Sequence, residues 1–425
     1  MLYQLSYFRN CDAKVGIIFE IANFSNTFFI FFSTLFHHKT NNTIYFNYLN
    51  RYFFLFFFSI LFSTFSSKTF ITIFYFHFIT VTLQNIKIEI VRNPVFDIMK
   101  FIAIIAMIIG HCVNDWRRPL IYAWHMPLFF IVSGYFFKNI PILKKIKHTS
   151  RQLLIPYLTT TILIITTATI YNIYGVNHST LEYLKVALIG GINPIDWGVG
   201  FPVWFLISLF ICIITYSIIN KLIKSNILIS LIVIIIAFTT YYIKNHCSVY
   251  IPFNILQTGM GLLFFHIGHI FHQQNTITTK HYSSLLWICA LFFYAASCHY
   301  GALDMHSVYY SNILINILGA IGGLFIVFQI SSFFYRHFSK IATQIAQIGS
   351  ISILFLIVHT LDTTFNFSPK ITRSILFFVE NITPNIAERI LFTLVVSLLL
   401  YQIPIVRRIL RLSKHQYIDL KTSKQ

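Results

Sequence analysis

The fold of this chain is decided by residues 92–135, which read RNPVFDIMKFIAIIAMIIGHCVNDWRRPLIYAWHMPLFFIVSGY. Two apolar stretches, each about as long as a membrane crossing requires, flank a short polar turn. Four ionisable side chains lie within or beside these stretches: Asp97, Lys100, His111 and His125. An ionisable group at membrane depth is energetically costly, so its presence there indicates function rather than packing.

The composition of the whole chain is typical of a membrane protein. Hydrophobic residues make up 56% of the sequence and charged residues 10%, and the mean hydropathy is +0.72. A soluble protein carries about 25% charged residues. Apolar runs of about 20 residues, the length that a helix needs to cross a bilayer, recur along the chain. These features predict an all-α fold, a polytopic bundle of transmembrane helices.

The apolar runs after residue 90 predict about ten spans, with boundaries that are soft by a few residues. The predicted spans are 95–113, 120–137, 153–173, 202–220, 226–243, 254–272, 283–298, 309–333, 347–364 and 386–404.

Loop charges predict the orientation of these spans. If residue 95 begins on the cytoplasmic side, the loops and tail on that side hold 16 Lys plus Arg, and the loops on the opposite side hold 6. Cytoplasmic loops carry the excess of basic residues in most membrane proteins. We therefore expect a multi-pass protein of the inner (cytoplasmic) membrane, with residues near 92 and the C-terminus in the cytoplasm.

The formal net charge of +19 has two readings. A strongly basic chain can bind nucleic acid, but here the basic residues form short clusters between apolar runs, and no nucleic-acid module is visible. The topology reading is therefore favoured, and no nucleic-acid partner is expected. The tail sequence RRILRLSKH, residues 407–415, predicts contact with anionic membrane lipids.

The sequence divides into a Phe-rich segment 1–90, a ten-helix membrane domain 91–405 and a basic cytoplasmic tail 406–425. The first segment holds 20 of the 47 Phe residues and has no Met between Met1 and Met99. Either it is an extra membrane-embedded region, or it is upstream sequence and the native start lies near residues 85–92. Its skewed composition and lack of turn residues favour the second interpretation.

The four ionisable groups of the opening segment have a predictable geometry. Lys100 and His111 are eleven residues apart, so on a helix they differ by about 20° and lie about 16 Å apart along the axis. Asp97 lies three residues before Lys100 and can pair with it. In an antiparallel hairpin, His125 returns to the depth of His111, and Ser133 returns to the level of Lys100. This arrangement predicts a lined cavity; alternatively, each histidine hydrogen-bonds a neighbouring helix.

These residues resemble a known family. Asp97, Lys100 and His111 form the pattern D-x-x-K-x10-H, which ends in Gly-His and is followed by WHMPLFFIVSGY at residues 124–135. The combination is similar to the membrane acyltransferase-3 family, and in particular to its fucose 4-O-acetylase-like branch. Weaker similarity continues through RQLLIPY (151–157), PVWFLISLF (202–210), FFHIG (264–268) and IGSISILFLIVH (348–359), so that it covers about residues 92–404.

The resemblance implies an O-acyltransferase that moves an acyl group, usually acetyl, from cytoplasmic acyl-CoA to a sugar hydroxyl on a lipid-linked or surface glycan. Acetyl-CoA and a glycan are thus the expected partners. The resemblance also implies that His111 is the essential residue and that Lys100 occupies a position where many members have Arg. A different class remains open: a transporter or flippase of a glycan intermediate that uses the same cavity without chemistry.

The residues suit acyl transfer. A neutral imidazole is the usual base near pH 7, so a buried His111 can accept the hydroxyl proton. His125, Ser133 or Lys100 can orient it or stabilise the oxyanion, and a route through acetyl-histidine is equally open. For the CoA phosphates, Arg151 is a better candidate than Lys144, Lys145 and Lys147, which also suit the positive-inside rule.

Three further features are weaker. Trp204 either lines the acceptor side or anchors the membrane interface, and His359, with Asp362 one turn on, is expected to face the cavity. His266, His269 and His272 have helical spacing but no nearby Cys or carboxylate. We therefore expect no metal site.

Overall fold

The computed structural model describes residues 91–173, 180–192, 202–247, 250–274, 284–301, 303–368, 386–412 and 416–417. The predicted segment 1–90 lies outside these residues, and so does most of the basic tail beyond residue 412. The described residues all belong to one compact unit of the chain, which comprises residues 72–425.

Helices make up nearly all of this structure. In chain order they are α1 Pro94–Cys112, α2 Arg117–Tyr122, α3 His125–Tyr135, α4 Ile142–Thr149, a π-helical turn Ser150–Leu154, α5 Ile155–Ile173, α6 Thr180–Leu188, α7 Trp204–Leu222, α8 Asn226–His246, α9 Ile255–Gln273, α10 Ser284–Tyr300, α11 Ile313–His337, α12 Ser339–Ser350, α13 Ser352–Phe365, α14 Ile386–Gln402 and α15 Pro404–Leu410. Two-residue strands form a parallel pair, β1 Val91–Arg92 with β4 Gln416–Tyr417, and an antiparallel pair, β2 Leu303–Asp304 with β3 Tyr309–Tyr310.

The prediction of an all-α polytopic membrane bundle is confirmed. Within the described residues, five helical segments are long and apolar enough to cross a membrane: Pro94–Cys112, Ile142–Ile170, Trp204–Leu222, Asn226–His246 and Ile313–His337. Two bent pairs raise the number to seven if each pair is one crossing. These pairs are α12 with α13, bent by 61°, and α14 with α15, bent by 98°.

The ten-span count stays a prediction, because several of the predicted spans are interrupted, short or partly polar in the structure. The predicted span 120–137 is interrupted between α2 and α3. Helix α9 has 19 residues, but Gln257, Thr258 and three histidines dilute its apolar character. Helix α10 is apolar but has only 17 residues.

Helix α1 begins and ends where local chemistry dictates. The side chain of Asn93 accepts a hydrogen bond from the backbone N–H of Val95 at 3.1 Å, and Pro94 occupies the first helical position, where no N–H is needed. Asp97 lies in the first turn and His111 in the last. The helix is therefore fixed in register, with His111 one residue before its end.

Helix α1 lies between two hydrophobic clusters. Phe96, Met99 and Ala103 contribute to the first cluster, together with residues of α3, α9 and α11. Ile104 and Ile108 contribute to the second, together with residues of α5, α13 and α14. A helix that is apolar on all sides is a buried helix, and α1 is one.

Small residues allow the helices around α1 to approach closely. A Cβ added at Gly134 of α3 would collide with the carbonyl of Phe265 in α9, and one added at Gly268 of α9 would collide with the carbonyl of Ile131 in α3. Gly349 of α12 lies in the same way against the carbonyl of Asp97 in α1. Such backbone contacts are typical of helix packing in membranes, and they fix α3 against α9 and α1 against α12.

Candidate active site

One cavity lies at the end of the bundle where α1 and α13 finish and α3 and α7 begin. Its volume is about 380 Å³. The β2–β3 hairpin and α2 complete its wall. The lining residues are Met107, His111, Arg118, Tyr122, His125, Met126, Pro202, Trp204, Leu303, Asp304, Met305, His306 and Thr363.

His111 belongs to the cavity wall and contacts a second histidine behind it. Its Nδ1 lies 2.9 Å from Nε2 of His359, and the two rings are stacked with centroids 5.1 Å apart and an interplanar angle of 17°. His111 is exposed, whereas His359 is fully buried. Because α1 ends at Cys112, its last turn opens into the cavity, and the His111 side chain is accessible from there.

His359 does not line the cavity, although the sequence predicted that it would. It lies on α13, which starts after a 61° bend at Ile351. The bend turns α13 so that His359 reaches His111 while its Nδ1 has no hydrogen-bond partner in the described part of the chain. The structure therefore places His359 behind the cavity, in direct contact with its wall.

A buried ion pair holds α13 in this position. The Asp362 carboxylate, one turn after His359, accepts a hydrogen bond from Arg389 of α14 at 3.0 Å, and its side chain is 0% exposed. Ser368 donates to the same carboxylate through its N–H and its hydroxyl. Arg389 also donates to the side chain of Asn366 at 2.7 Å. Because its lone pairs are shared among these donors, the carboxylate is satisfied despite its burial.

His125 enters the site because the second predicted span is broken. The chain leaves helical geometry at Trp124, between α2 and α3, which releases carbonyl groups at the end of α2. Backbone carbonyls at membrane depth need donors. Trp124 Nε1 and the Tyr294 hydroxyl donate to the carbonyl of Leu120 at 3.0 and 2.7 Å. The carbonyl of Ile121 accepts from His125 Nδ1 at 3.0 Å and from the backbone N–H of Trp124 at 3.3 Å.

This hydrogen bond fixes the protonation pattern of His125. A carbonyl oxygen only accepts, so Nδ1 of His125 must carry the proton. In a neutral imidazole the other nitrogen is then an acceptor. His125 is 3% exposed and lines the cavity, and with Nδ1 bonded to the backbone, Nε2 is the ring nitrogen that remains for a ligand.

Trp204 forms another side of the cavity. It is the first residue of α7, and its carbonyl accepts a hydrogen bond at 2.9 Å from Nδ2 of Asn254, a buried residue in the left-handed conformation. The same amide donates to the carbonyl of Gly190 at 2.8 Å. Asn254 thus ties the start of α7 to the end of α6. The Trp204 ring meets the ring of His306 edge-on, with centroids 5.6 Å apart.

The β2–β3 hairpin supplies two polar groups that sequence reasoning missed. Asp304 Oδ1 accepts from the backbone N–H of His306 at 3.0 Å, which closes the turn. Gln257 of α9 donates to the carbonyl of His306 at 2.9 Å and holds the turn against the bundle. Oδ2 of Asp304 receives no hydrogen bond from the described residues, so it is available to a ligand in the cavity.

The surroundings of His306 favour its neutral form. Burial lowers the pKa of the His306 imidazole, and the nearby Lys244 ammonium lowers it too, while the Asp304 carboxylate acts in the opposite direction. Neutral imidazole both donates and accepts, so His306 can do either toward a hydroxyl.

Arg118 and Tyr122 line the cavity beside His125. The guanidinium of Arg118 lies 4.6 Å from the centroid of the Tyr122 ring and donates to Asn114 at 2.9 Å. Arg117 instead forms an exposed pair with Asp115 outside the cavity. Arg118 was within the predicted turn 114–119, but nothing in the sequence distinguished it from Arg117.

The remaining predicted site residues lie elsewhere. Lys100 donates to the Asp97 carboxylate at 2.9 Å near the opposite end of α1, and neither residue lines the cavity. Ser133 lies in the third turn of α3 and also contributes nothing to the lining. Arg151 is exposed in the π-helical turn after α4, near the same end of the molecule as Lys144 and Lys147. The structure therefore brings together His111, His125 and Trp204 but not the other predicted cavity residues.

Two of the three helix-spaced histidines of α9 form hydrogen bonds with protein side chains, and the third, His272, packs edge-on against the Tyr135 ring. His266 lies between the Tyr216 hydroxyl, 2.9 Å from its Nδ1, and the Ser230 hydroxyl, 2.8 Å from its Nε2. His269 bonds the side chain of Gln273 at 3.0 Å. Across the described residues, no three metal-ligating side chains are grouped in a way that could hold an ion.

Fold and site together define a class: an integral membrane protein whose helices enclose a cavity with three histidines and a carboxylate in its wall. A family model described as an acyltransferase domain matches residues 93–402, so the chain belongs to the acyltransferase-3 family and is a membrane acyltransferase. This confirms the family resemblance seen in the sequence, while the fucose 4-O-acetylase-like branch stays a prediction. Neither curated proteins nor solved structures gave a match to the chain.

Proposed function

We propose that this membrane acyltransferase transfers an acetyl group from acetyl-CoA to a sugar hydroxyl of a surface or lipid-linked polysaccharide, at the cavity between His111 and His125. The observation that carries the proposal is the composition of the cavity wall. It combines imidazoles for proton transfer with an aromatic ring and a carboxylate oxygen for holding a hydroxylated molecule.

The chemistry requires little beyond these groups. The acceptor oxygen attacks the thioester carbonyl carbon while its proton passes to an imidazole nitrogen. The C–S bond then breaks, the CoA sulfur leaves as a thiolate, and it takes the proton as a thiol. A positioned imidazole accelerates such a proton transfer by about 10²–10⁴-fold. A donor to the developing oxyanion contributes a factor of about 10²–10³.

The acceptor side of the cavity suits a sugar. A sugar ring has an apolar C–H face and a rim of hydroxyl groups. Trp204 offers the aromatic surface, Asp304 Oδ2 offers an acceptor for hydroxyl protons, and His306 offers a second polar contact. A site that hydrogen-bonds substrate hydroxyls discriminates strongly against molecules that lack them.

The proposed donor side follows from the loop charges. The positive-inside bias assigns the Lys100 end of α1 to the cytoplasm and the cavity end to the opposite face. Lys144, Lys147 and Arg151 are exposed at the cytoplasmic end and are proposed to bind the CoA phosphates. Lys145 is a poor candidate, because its ammonium is buried, donates to the carbonyl of Lys138 at 2.5 Å and lies 4.2 Å from the Phe137 ring centroid.

The test is an acetyl-transfer assay with the full-length protein, purified in detergent and reconstituted in liposomes. Radiolabelled acetyl-CoA is added with extracted lipid-linked glycans, and label in the glycan fraction is measured. The wild-type protein should transfer label, and His111→Ala should lower the rate at least about 100-fold. His246→Ala is the matched control, since His246 is also an exposed histidine in the last turn of a long apolar helix but does not line the cavity.

Two other outcomes would decide against the proposal. Glycan that crosses the liposome membrane without becoming labelled would identify a transporter. Label that reaches protein or lipid but no glycan in any extract would exclude the sugar acceptor while leaving the acyltransferase class intact.

A further inference from the structure

We infer that the two cavity histidines have opposite and fixed roles: His125 accepts the acceptor's proton, and His111 donates a hydrogen bond to the thioester oxygen, because His359 sets its tautomer. This inference rests on the proposed acyl transfer and deepens it. It reverses the role predicted for His111 from the chemistry of a neutral imidazole, which was that of the base.

His125 is limited to the role of base by its backbone contact. Its Nδ1–H donates to the carbonyl of Ile121 at 3.0 Å. That carbonyl also accepts from the backbone N–H of Trp124 at 3.3 Å, so it lies in a fixed position at the break before α3. Moving the proton to Nε2 would place a nitrogen lone pair against the carbonyl oxygen. The neutral ring therefore keeps Nε2 unprotonated toward the cavity.

The tautomer of His111 depends on its hydrogen bond with His359, which lies behind it. Its Nδ1 and the Nε2 of His359, 2.9 Å apart, share one proton. If His111 donates it, then neutral His359 must carry its own proton on Nδ1. That nitrogen is buried and has no partner in the described residues, so the proton would be an orphaned donor. If His359 donates, only an acceptor lone pair is orphaned.

The second arrangement is favoured. Orphaned N–H groups are rarer in protein interiors than acceptors with an unused lone pair. His359 thus donates from Nε2 to Nδ1 of His111. In neutral His111 the proton then resides on Nε2, the nitrogen that is left for the cavity. His111 lines the cavity as a hydrogen-bond donor and cannot act as a base without a change of tautomer.

The two roles complete one balanced step. The acceptor hydroxyl transfers its proton to Nε2 of His125 as its oxygen bonds to the thioester carbon. The carbonyl electrons move onto oxygen, where the Nε2–H of His111 stabilises them. When the C–S bond breaks, the carbonyl re-forms, and the departing sulfur takes the proton from His125. His111 and His359 end with the protons with which they began.

His359 is accordingly a positioning residue, since it acts only through His111. Its own position depends on α13, which the Asp362–Arg389 pair ties to α14. A glutamine at 359 keeps an amide N–H close to the place of Nε2, whereas a phenylalanine keeps the ring but loses the donor. The two substitutions separate the hydrogen bond from the packing.

The experiment compares glutamine and alanine variants of the full-length enzyme in the liposome assay, over a range of pH. A glutamine side chain donates a hydrogen bond but is not a base near pH 7. We expect His125→Gln to lose about 10²–10⁴-fold in kcat/KM, together with the acid limb of its pH profile. His111→Gln should stay within about tenfold of wild type and keep that limb, whereas His111→Ala should fall about 10²-fold or more.

The His359 variants test the tautomer. His359→Gln should retain most activity, and His359→Phe should lose about tenfold or more with the pH profile unchanged in shape. His337→Gln, at an exposed histidine that bonds the Phe333 carbonyl at 2.9 Å, is the control. ¹⁵N NMR of histidine-labelled wild-type protein reports the tautomers directly and needs no variant. It should show protonated Nδ1 on His125 and protonated Nε2 on His111.

Three results would overturn the inference. Loss of the acid limb in His111→Gln, with activity as low as that of His111→Ala, would make His111 the base. Isolation of an acetylated His111 after addition of donor alone would make it a nucleophile. An unprotonated Nε2 on His111 in the NMR spectrum would exclude the proposed tautomer. A wild-type protein that transfers no acetyl group at all would overturn the proposed function, and this inference with it.

Discussion

The two ends of helix α1 both carry ionisable side chains, but the structure treats them differently. At one end, the buried carboxylate of Asp97 is bonded by Lys100, three residues away on the same helix. At the other end, His111 bonds a residue 248 positions away and keeps a nitrogen for the cavity. At the first end, a neighbouring cation on the same helix compensates the buried carboxylate. The second leaves a polar atom available to a ligand, so only the second has the form of a reaction site.

A similar contrast separates two ion pairs between Asp and Arg in the described part of the chain. The pair of Asp362 and Arg389 is buried behind His359, whereas Asp115 and Arg117 are both more than two-fifths exposed beside the cavity. A buried pair is costly to break, because it leaves one charge without compensation. An exposed pair contributes little. Substitutions at these charged residues test both differences.

The largest effect is expected on stability, at the buried pair. Asp362→Ala leaves the Arg389 guanidinium without its carboxylate and should lower the free energy of unfolding by about 3–5 kcal/mol. Thermal unfolding of the detergent-solubilised protein measures the change. Asp115→Ala is the control, and its unfolding should match wild type. Equal stability of the two variants would show that the buried network does not hold α13.

The charged end of α1 should give a smaller effect, again on stability. Lys100→Met removes the cation beside a carboxylate that is 2% exposed and should destabilise the protein by about 1–3 kcal/mol. The double variant Asp97→Asn with Lys100→Met should recover much of this loss, because no buried charge remains. A Lys100→Met protein with normal stability but a raised KM for acetyl-CoA would instead assign Lys100 to donor binding.

The smallest effect is expected from a substitution at Asp304, which should change binding of the acceptor but not of the donor. Asp304→Asn keeps Oδ1 for the turn but removes the charge from the free oxygen, and it should raise the KM for the glycan acceptor about tenfold, which corresponds to about 1.4 kcal/mol. The KM for acetyl-CoA should not change. Initial rates at varied concentrations of each substrate provide the measurement, with Asp115→Asn as the matched control. A change in the acetyl-CoA KM alone would contradict an acceptor site at the hairpin.

Much of the fold could be predicted from the sequence, because a bilayer imposes a length and a polarity on each helix. Helix α1 and most later helices begin within a few residues of the predicted spans. The exception is the stretch 120–137, whose apolar composition hides the break at Trp124. Two of the side chains that bond carbonyls at the break, Trp124 and His125, are local, but Tyr294 lies 174 positions from Leu120, and its contact could not be foreseen.

Only the part of the candidate site that is formed by residues close in sequence could be predicted. The turn between the first two helices brings His111 and His125 to one cavity, as the sequence predicted. The contact between His111 and His359 depends on a bend at Ile351 that no residue pattern marks. Asp304 and His306 lie in a loop on the predicted outer side, but loops of that kind commonly hold polar residues. Tertiary packing alone assigns them to the site.

The proposed function requires that acetyl transfer take place at the cavity end of α1. The most direct measurement is the rate at which labelled acetyl groups reach glycan in liposomes that contain equal amounts of folded wild-type, His111→Ala or His246→Ala protein. We predict that wild type and His246→Ala transfer at the same rate, and that His111→Ala is at least about 100-fold slower. Equal rates for all three proteins would contradict the account.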